Sequence, residues 1–249
     1  PPRSTLFPYT TLFRSTFWEF FNISLWIMMF TFCLKYHGKW TTLKIFVIGL
    51  LYGVVLENGG PLIIPELGFE GYFWEETYKI YLFEFFGHGY RLSQVPLATH
   101  LGWTNVFFIA YCMYEKFSTT FPKIREGKIK SVIWGFAIMA FTGWMKDLQL
   151  DPVATRYRWW VWNENLRPLW FGVPIVNFVA WFWAVGVFGA IFVSINNLTA
   201  SKFSNLNHEA LEPIRTKWLF LSLPIMWVVD LIGVMVTLEI INRLGFMYI

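Results

Sequence analysis

The chain has 249 residues, 56% of them hydrophobic and 21% aromatic, with only 14% charged. Soluble domains carry about 25% charged residues, so a composition this apolar excludes an ordinary soluble domain and points to the membrane class. The net charge of +4 is small, and its lysines and arginines fall mostly in links between apolar runs, which excludes a nucleic-acid surface.

Residues 1–15, PPRSTLFPYTTLFRS, begin without Met and repeat Thr-Leu-Phe. Arg3 and Arg14 sit at opposite ends and Pro8 lies between them, so the stretch holds neither a secretory h-region nor an unbroken amphipathic helix. It resembles the translation of a sequencing adaptor. Residues 1–15 are therefore expected to be non-native and 16–249 to form a single transmembrane helical domain. The native gene would then begin upstream, with at least one N-terminal span lost.

Apolar runs approaching the roughly 20 residues that cross a bilayer predict six spans, at 17–34, 42–56, 94–114, 131–147, 172–195 and 216–241. The expected fold is all-α, a polytopic helix bundle in a membrane, taken here as a prokaryotic cytoplasmic membrane. Cys33 and Cys112 both lie inside spans and suggest neither a disulfide nor a metal knuckle. His37, His88, His100 and His208 are scattered, without the spacing of a helical metal site.

The first, third and fifth links carry eleven basic residues: Lys35, Lys39 and Lys44, then Lys116, Lys123, Arg125, Lys128 and Lys130, then Lys202, Arg215 and Lys217. The other two links carry six: Lys79, Arg91, Lys146, Arg156, Arg158 and Arg167. The positive-inside rule places the first set in the cytoplasm. The long links 57–93 and 147–171 then share the opposite side. They hold most of the acids and are dense in Trp and Tyr, as an aromatic belt at headgroup depth would be.

Ionisable groups at membrane depth mark function by default. On this topology Glu57, His100, Asp147, Asn177 and Glu239 converge in the outer third of the bilayer from five helices, and Asp230 lies deeper. Simpler readings stand beside this one. Glu57 and Asp147 could be headgroup-level caps, His100 a packing residue, Asn177 an interhelical hydrogen bonder, and Glu239 a partner of Arg243 one turn later. Asp230 has no basic neighbour at helical spacing, so it needs a partner from another helix or a proton of its own.

The segment 147–181 is the most distinctive. Asp147 reads as the end of a helix, and Asp151-Pro152 as the capped start of a new short element. Trp160 and Trp162 follow, then Gly172-Val173-Pro174 opens a span with Asn177 and Trp181 in it. This pattern, D-x-x-x-D-P, then W-x-W, then G-V-P-x-x-N-x-x-x-W, resembles the carotenoid biosynthesis membrane protein family, of the bisanhydrobacterioruberin hydratase and gamma-carotene 1′-hydroxylase type. A looser second match takes in Glu57, Gly71, Tyr72, Val95-Pro96 and Trp103.

The resemblance implies a carotenoid hydratase. Water would add across the terminal double bond of an acyclic carotenoid end group to give a tertiary alcohol. Protonating the less substituted carbon gives a tertiary cation that water captures, which calls for a desolvated acid, a held water with a base, and aromatic walls. On that reading Asp147 is the proton donor, with Asp151 or Glu57 as its partner, while Asn177 and His100 position water or relay a proton. Trp160, Trp162, Trp181, Trp103 and Tyr72 would line the polyene slot. The reaction needs no cofactor or metal. The expected partners are the carotenoid and membrane lipids, with other carotenoid enzymes as further candidates. Two rival readings remain, a non-catalytic carotenoid or lipid binder and a proton- or cation-coupled transporter.

Overall fold

In lipid a backbone must satisfy its own polar groups, and a chain with long apolar runs does so as α-helices. The computed structural model describes residues 8–63, 72–73, 97–156, 161–162 and 167–245, and they are almost entirely helical. Helix α1 (Pro8–Thr42) runs into a π-helix, Leu43–Ile48, and on into α2 (Gly49–Ile63). Then come α3 (Leu97–Thr120), a 3₁₀ turn at Pro122–Arg125, α4 (Lys128–Arg156), α5 (Ile175–Lys202), α6 (His208–Leu221) and α7 (Leu223–Arg243). This is the all-α bundle expected. Phe20–Glu57, Ile175–Lys202 and Leu223–Arg243 are long and apolar enough to cross a membrane. Ile225, Ile232, Val236 and Ile240 of α7 point outward and exposed, as lipid-facing side chains do.

Phe20–Glu57 is 38 residues, about 57 Å as one straight helix and well beyond a hydrocarbon core of about 30 Å. Gly38 resolves this with φ 79°, ψ 169°, an extended left-handed conformation open chiefly to glycine. Phe30 and Phe46 would stand about 24 Å apart in a continuous helix, yet their ring centroids are 5.5 Å apart, and Trp26 meets Phe46 at 5.9 Å. The chain therefore folds back at Gly38 into two arms, which correspond to the runs at 17–34 and 42–56.

Helices α2, α3 and α5 run past their expected ends, to Ile63, Thr120 and Lys202, and two further boundaries differ in kind. No new element starts at Asp151-Pro152: α4 continues through Pro152 to Arg156, so Asp151 is one helical turn beyond Asp147 rather than an N-cap. Proline removes one intrahelical bond, a loss that neighbouring helices in a bundle can offset. The final run divides at Ser222, so the last long helix begins at Leu223 instead of 216. Pro224 lies in the first turn of α7, where its missing N–H costs nothing. Asn207 starts α6 by accepting from the Ala210 N–H at 2.9 Å.

Short strand pairs close one end of the bundle. β1 (Tyr72–Phe73) pairs antiparallel with β2 (Val161–Trp162), so the links 57–93 and 147–171 meet in this pair. β3 (Pro168–Trp170) pairs with β4 (Val173–Pro174) around Gly172, at φ 89°. Glu66, Glu70, Glu75, Glu76, Glu84 and Val95-Pro96 lie outside the described residues.

Helices α4 and α5 pack most closely. A Cβ on Gly189 would stand 2.6 Å from the Gly135 carbonyl oxygen, and one on Gly143 would stand 2.5 Å from Val185. Small residues at such positions let backbones approach, which drives helix association where burial from water cannot. Because the obstacle at Gly189 is backbone, no rotamer relieves it. Gly189→Val is expected to cost about 1–3 kcal/mol, read as a lower unfolding temperature in detergent.

Inside the bundle, buried rings form a continuous run. Trp181 stacks on Trp103 at 3.9 Å, Trp103 meets Phe107 at 5.8 Å, Phe107 stacks on Phe188 at 4.4 Å, and Phe188 meets Phe192 at 6.3 Å. Tyr52 flanks this run against Phe107 and Phe188. At its far end Lys44 Nζ lies 4.9 Å from the centre of Phe192 and pairs with Glu212 at 2.7 Å. Arg215 joins the same carboxylate at 2.7 Å and donates to Thr199 Oγ1 at 3.2 Å. Lys44 and Arg215, assigned above to links by their charge, are thus buried in the bundle.

Candidate active site

The four-residue spacing of Asp147 and Asp151 puts both carboxyls on one face of α4. Both are almost completely buried. Across from them, Pro174 is extended (φ −77°, ψ 154°) and α5 starts at the next residue, which places Asn177 in its first turn. The Asn177 side-chain amide donates to Asp147 Oδ2 at 2.9 Å and Oδ1 at 3.1 Å, and also to Asp151 Oδ2. One amide nitrogen thus bridges the two carboxyls. The N-terminal end of α5, with its partial positive charge, adds a favourable field for anions there.

A second arm reaches this cluster from α2 and α3. Glu57, midway along α2 rather than at its end, accepts from the Trp103 indole N–H at 2.7 Å, and both are buried. Trp103 stacks on Trp181, which follows Asn177 by one turn on α5. Lys146 Nζ lies 4.5 Å from the centre of the Trp181 ring. A ring stacked at 3.9 Å leaves no room for an ammonium on the same side, so Trp103 and Lys146 take opposite faces of Trp181. His100 is buried on α3, one turn before Trp103.

The sequence-derived residues thus divide into groups. Asp147, Asp151 and Asn177 are in direct contact, and Glu57, Trp103 and Trp181 form the adjoining arm. Trp162 sits above them in β2 and donates its indole N–H to Thr155 Oγ1 at 2.8 Å, one turn past Asp151. The Tyr72 backbone is its partner in β1. Trp160 lies outside the described residues. Glu239 stands apart from the cluster and pairs with Arg243 at 2.7 Å on the exposed side of α7, the simpler of its two readings. Asp230 is buried on α7, and its Oδ1 has no hydrogen-bond partner among the described residues.

Lys146 is the site residue that sequence reasoning misses, because its charge assigns it to a link. The available signal was its place beside Asp147 at the end of an apolar run, where a lysine could turn inward as well as out. Among the described residues, no three His, Cys, Asp or Glu side chains are grouped as a metal site needs.

Trp103→Phe keeps a ring against Trp181 but removes the indole donor to Glu57. Hydrogen bonds to charged groups contribute about 1.5–3 kcal/mol, so this variant is expected to unfold at lower temperature by that order, measured by thermal denaturation in detergent.

Residues 17–249 match the model of a family described as carotenoid biosynthesis protein, and the chain belongs to that family. No curated protein and no solved structure matches it.

Proposed function

From membership of the carotenoid biosynthesis family, we propose that the protein is a multi-pass integral membrane hydratase that adds water to the terminal double bond of an acyclic carotenoid end group. The observation that supports this best is the buried cluster of Asp147, Asp151 and Asn177. Two carboxyls buried together and bridged by one amide are suited to hold a single proton between them, since two like charges so close and so deep oppose each other's ionisation.

The reaction follows from that shared proton. Asp147 gives it to the less substituted carbon of the terminal alkene, forming a C–H bond and leaving a tertiary cation. Asn177 holds the resulting pair of carboxylates in place. A water molecule attacks the cation, forming the C–O bond, and passes its surplus proton back to the pair through Asp151. The net change is alkene plus water to tertiary alcohol, with the acid regenerated. Carboxylates close to the cation stabilise it by charge, and the low dielectric around them strengthens that effect.

The test is expression with an acyclic carotenoid in a host that makes it, followed by chromatography and mass spectrometry. A product heavier by one water, with the oxygen drawn from ¹⁸O-labelled water, is expected. Pigment that co-purifies unchanged would support a binder instead, and ion flux in liposomes without carotenoid would support a transporter. The filled ring run along the interior speaks against the latter.

A further inference from the structure

Lys146 is not needed to supply a proton or a water in the scheme above, yet its position is specific. Its ammonium rests on Trp181, whose other face is locked by Trp103, which in turn is hydrogen-bonded to Glu57. Among the described residues, the acids grouped around this seat are Asp147, next to it on α4, Asp151, just over one turn further on, and Glu57 of α2, which holds Trp103 against Trp181. From α5 it meets Trp181, on the same helix as the Asn177 that grips the carboxyl pair. One cation therefore stands among three acids, held by an aromatic face rather than by any single carboxylate.

We propose that Lys146 is a positioning residue for the Asp147–Asp151 pair, its ammonium balancing the negative charge the pair gains when its proton leaves. The role rests on the hydratase reading for its purpose but on geometry for its existence. A cation–π seat on Trp181 fixes the ammonium without neutralising it, since the ring quadrupole attracts the charge and takes no proton. The charge is thus available to the pair at the moment two carboxylates would otherwise repel each other. Glu57, through Trp103, fixes the seat itself.

Two variants that remove the charge with different shapes, Lys146→Met and Lys146→Gln, test this, with Lys146→Arg as the charge-retaining control. The first readout does not depend on turnover. Dicyclohexylcarbodiimide, an apolar reagent that attacks protonated carboxyls, is applied to purified protein across a pH series, and modification of the Asp147–Asp151 peptide is followed by mass spectrometry. Loss of the cation should make the pair hold its proton to higher pH, moving the labelling midpoint up by about one unit or more. Lys146→Arg should restore the wild-type curve. The second readout is turnover. The charge-removing variants should lose about tenfold or more in kcat with KM little changed, the pattern of an interaction made in the transition state.

A folded charge-removing variant with the wild-type labelling curve overturns the proposal. If the wild-type protein gives no hydrated carotenoid, the hydratase reading falls, while the labelling curve still decides whether Lys146 governs the pair.

Discussion

Asp147→Asn is expected to lower hydration of an acyclic carotenoid by about 10²–10⁴-fold, the usual contribution of a general acid. The substitution keeps the size and shape of the side chain, so the fold should survive. It removes what the mechanism asks of Asp147, a proton it can lose and the negative charge left behind beside the cation. The Asn177 amide can still donate to the new side-chain oxygen, as it now does to Asp147 at 2.9 Å. Asp151→Asn should also fail, because the proton returned by the captured water has then lost its acceptor. The measurement is product formed per folded protein, with folding checked by thermal denaturation of the same preparations. Undiminished product from folded Asp147→Asn would remove Asp147 from the donor role and direct attention to Glu57.

The largest stability effect is expected at the opposite end of the bundle. Glu212→Gln strips the shared anion from between Lys44 and Arg215, which both bond it at 2.7 Å while buried. Breaking a buried ion pair from one side costs about 3–5 kcal/mol, since the charge left behind has no compensation. Here two cations would be left facing each other. Burial alone would raise the Glu212 carboxyl, but hydrogen bonds and charge from Lys44 and Arg215 outweigh it and hold the group below the usual carboxylate range. The stability that this contributes is fully present above the ordinary Glu value of about 4.3. It is lost as pH falls through the depressed value. Detergent unfolding temperatures of the wild type should therefore change little with pH above about 5 on account of this group and fall on further acidification. The acid-dependent component should be missing in Glu212→Gln.

Where apolar residues alone decide a helix, the sequence was readable. The runs at 94–114 and 172–195 lie within or across α3 and α5, and the hairpin before them follows from two runs separated by lysines and Gly38. Asp147 and Asn177 are legible because a carboxyl and an amide at the ends of spans are costly enough to need a reason, whereas Asp151 is marked only by the family pattern in 147–181. Charge misled the reading in three places. Charge alone assigns Lys44, Lys146 and Arg215 to links, although a helix within a bundle can turn a cation inward when another helix supplies the anion or the ring. Hydropathy also could not show that α4 passes through Pro152. The residues after Asp147 are too polar for a lipid-facing span but suit a helix covered by strands and by its neighbours. The division at Ser222 was hidden for the converse reason, since apolar residues lie on both sides of it.

The stacked rings from Trp181 to Phe192 bear on selectivity. A rigid polyene tens of ångströms long cannot share the axis of a bundle that side chains already occupy. If the end group reacts at Asp147, the rest of the molecule must remain in the lipid, approaching from the side. The protein would then recognise a terminus and be indifferent to how many isoprene units trail behind it. Acyclic carotenoids of different chain length but identical end groups should compete on equal terms in a mixed-substrate assay, and a strong preference for one length would show that the tail is held after all.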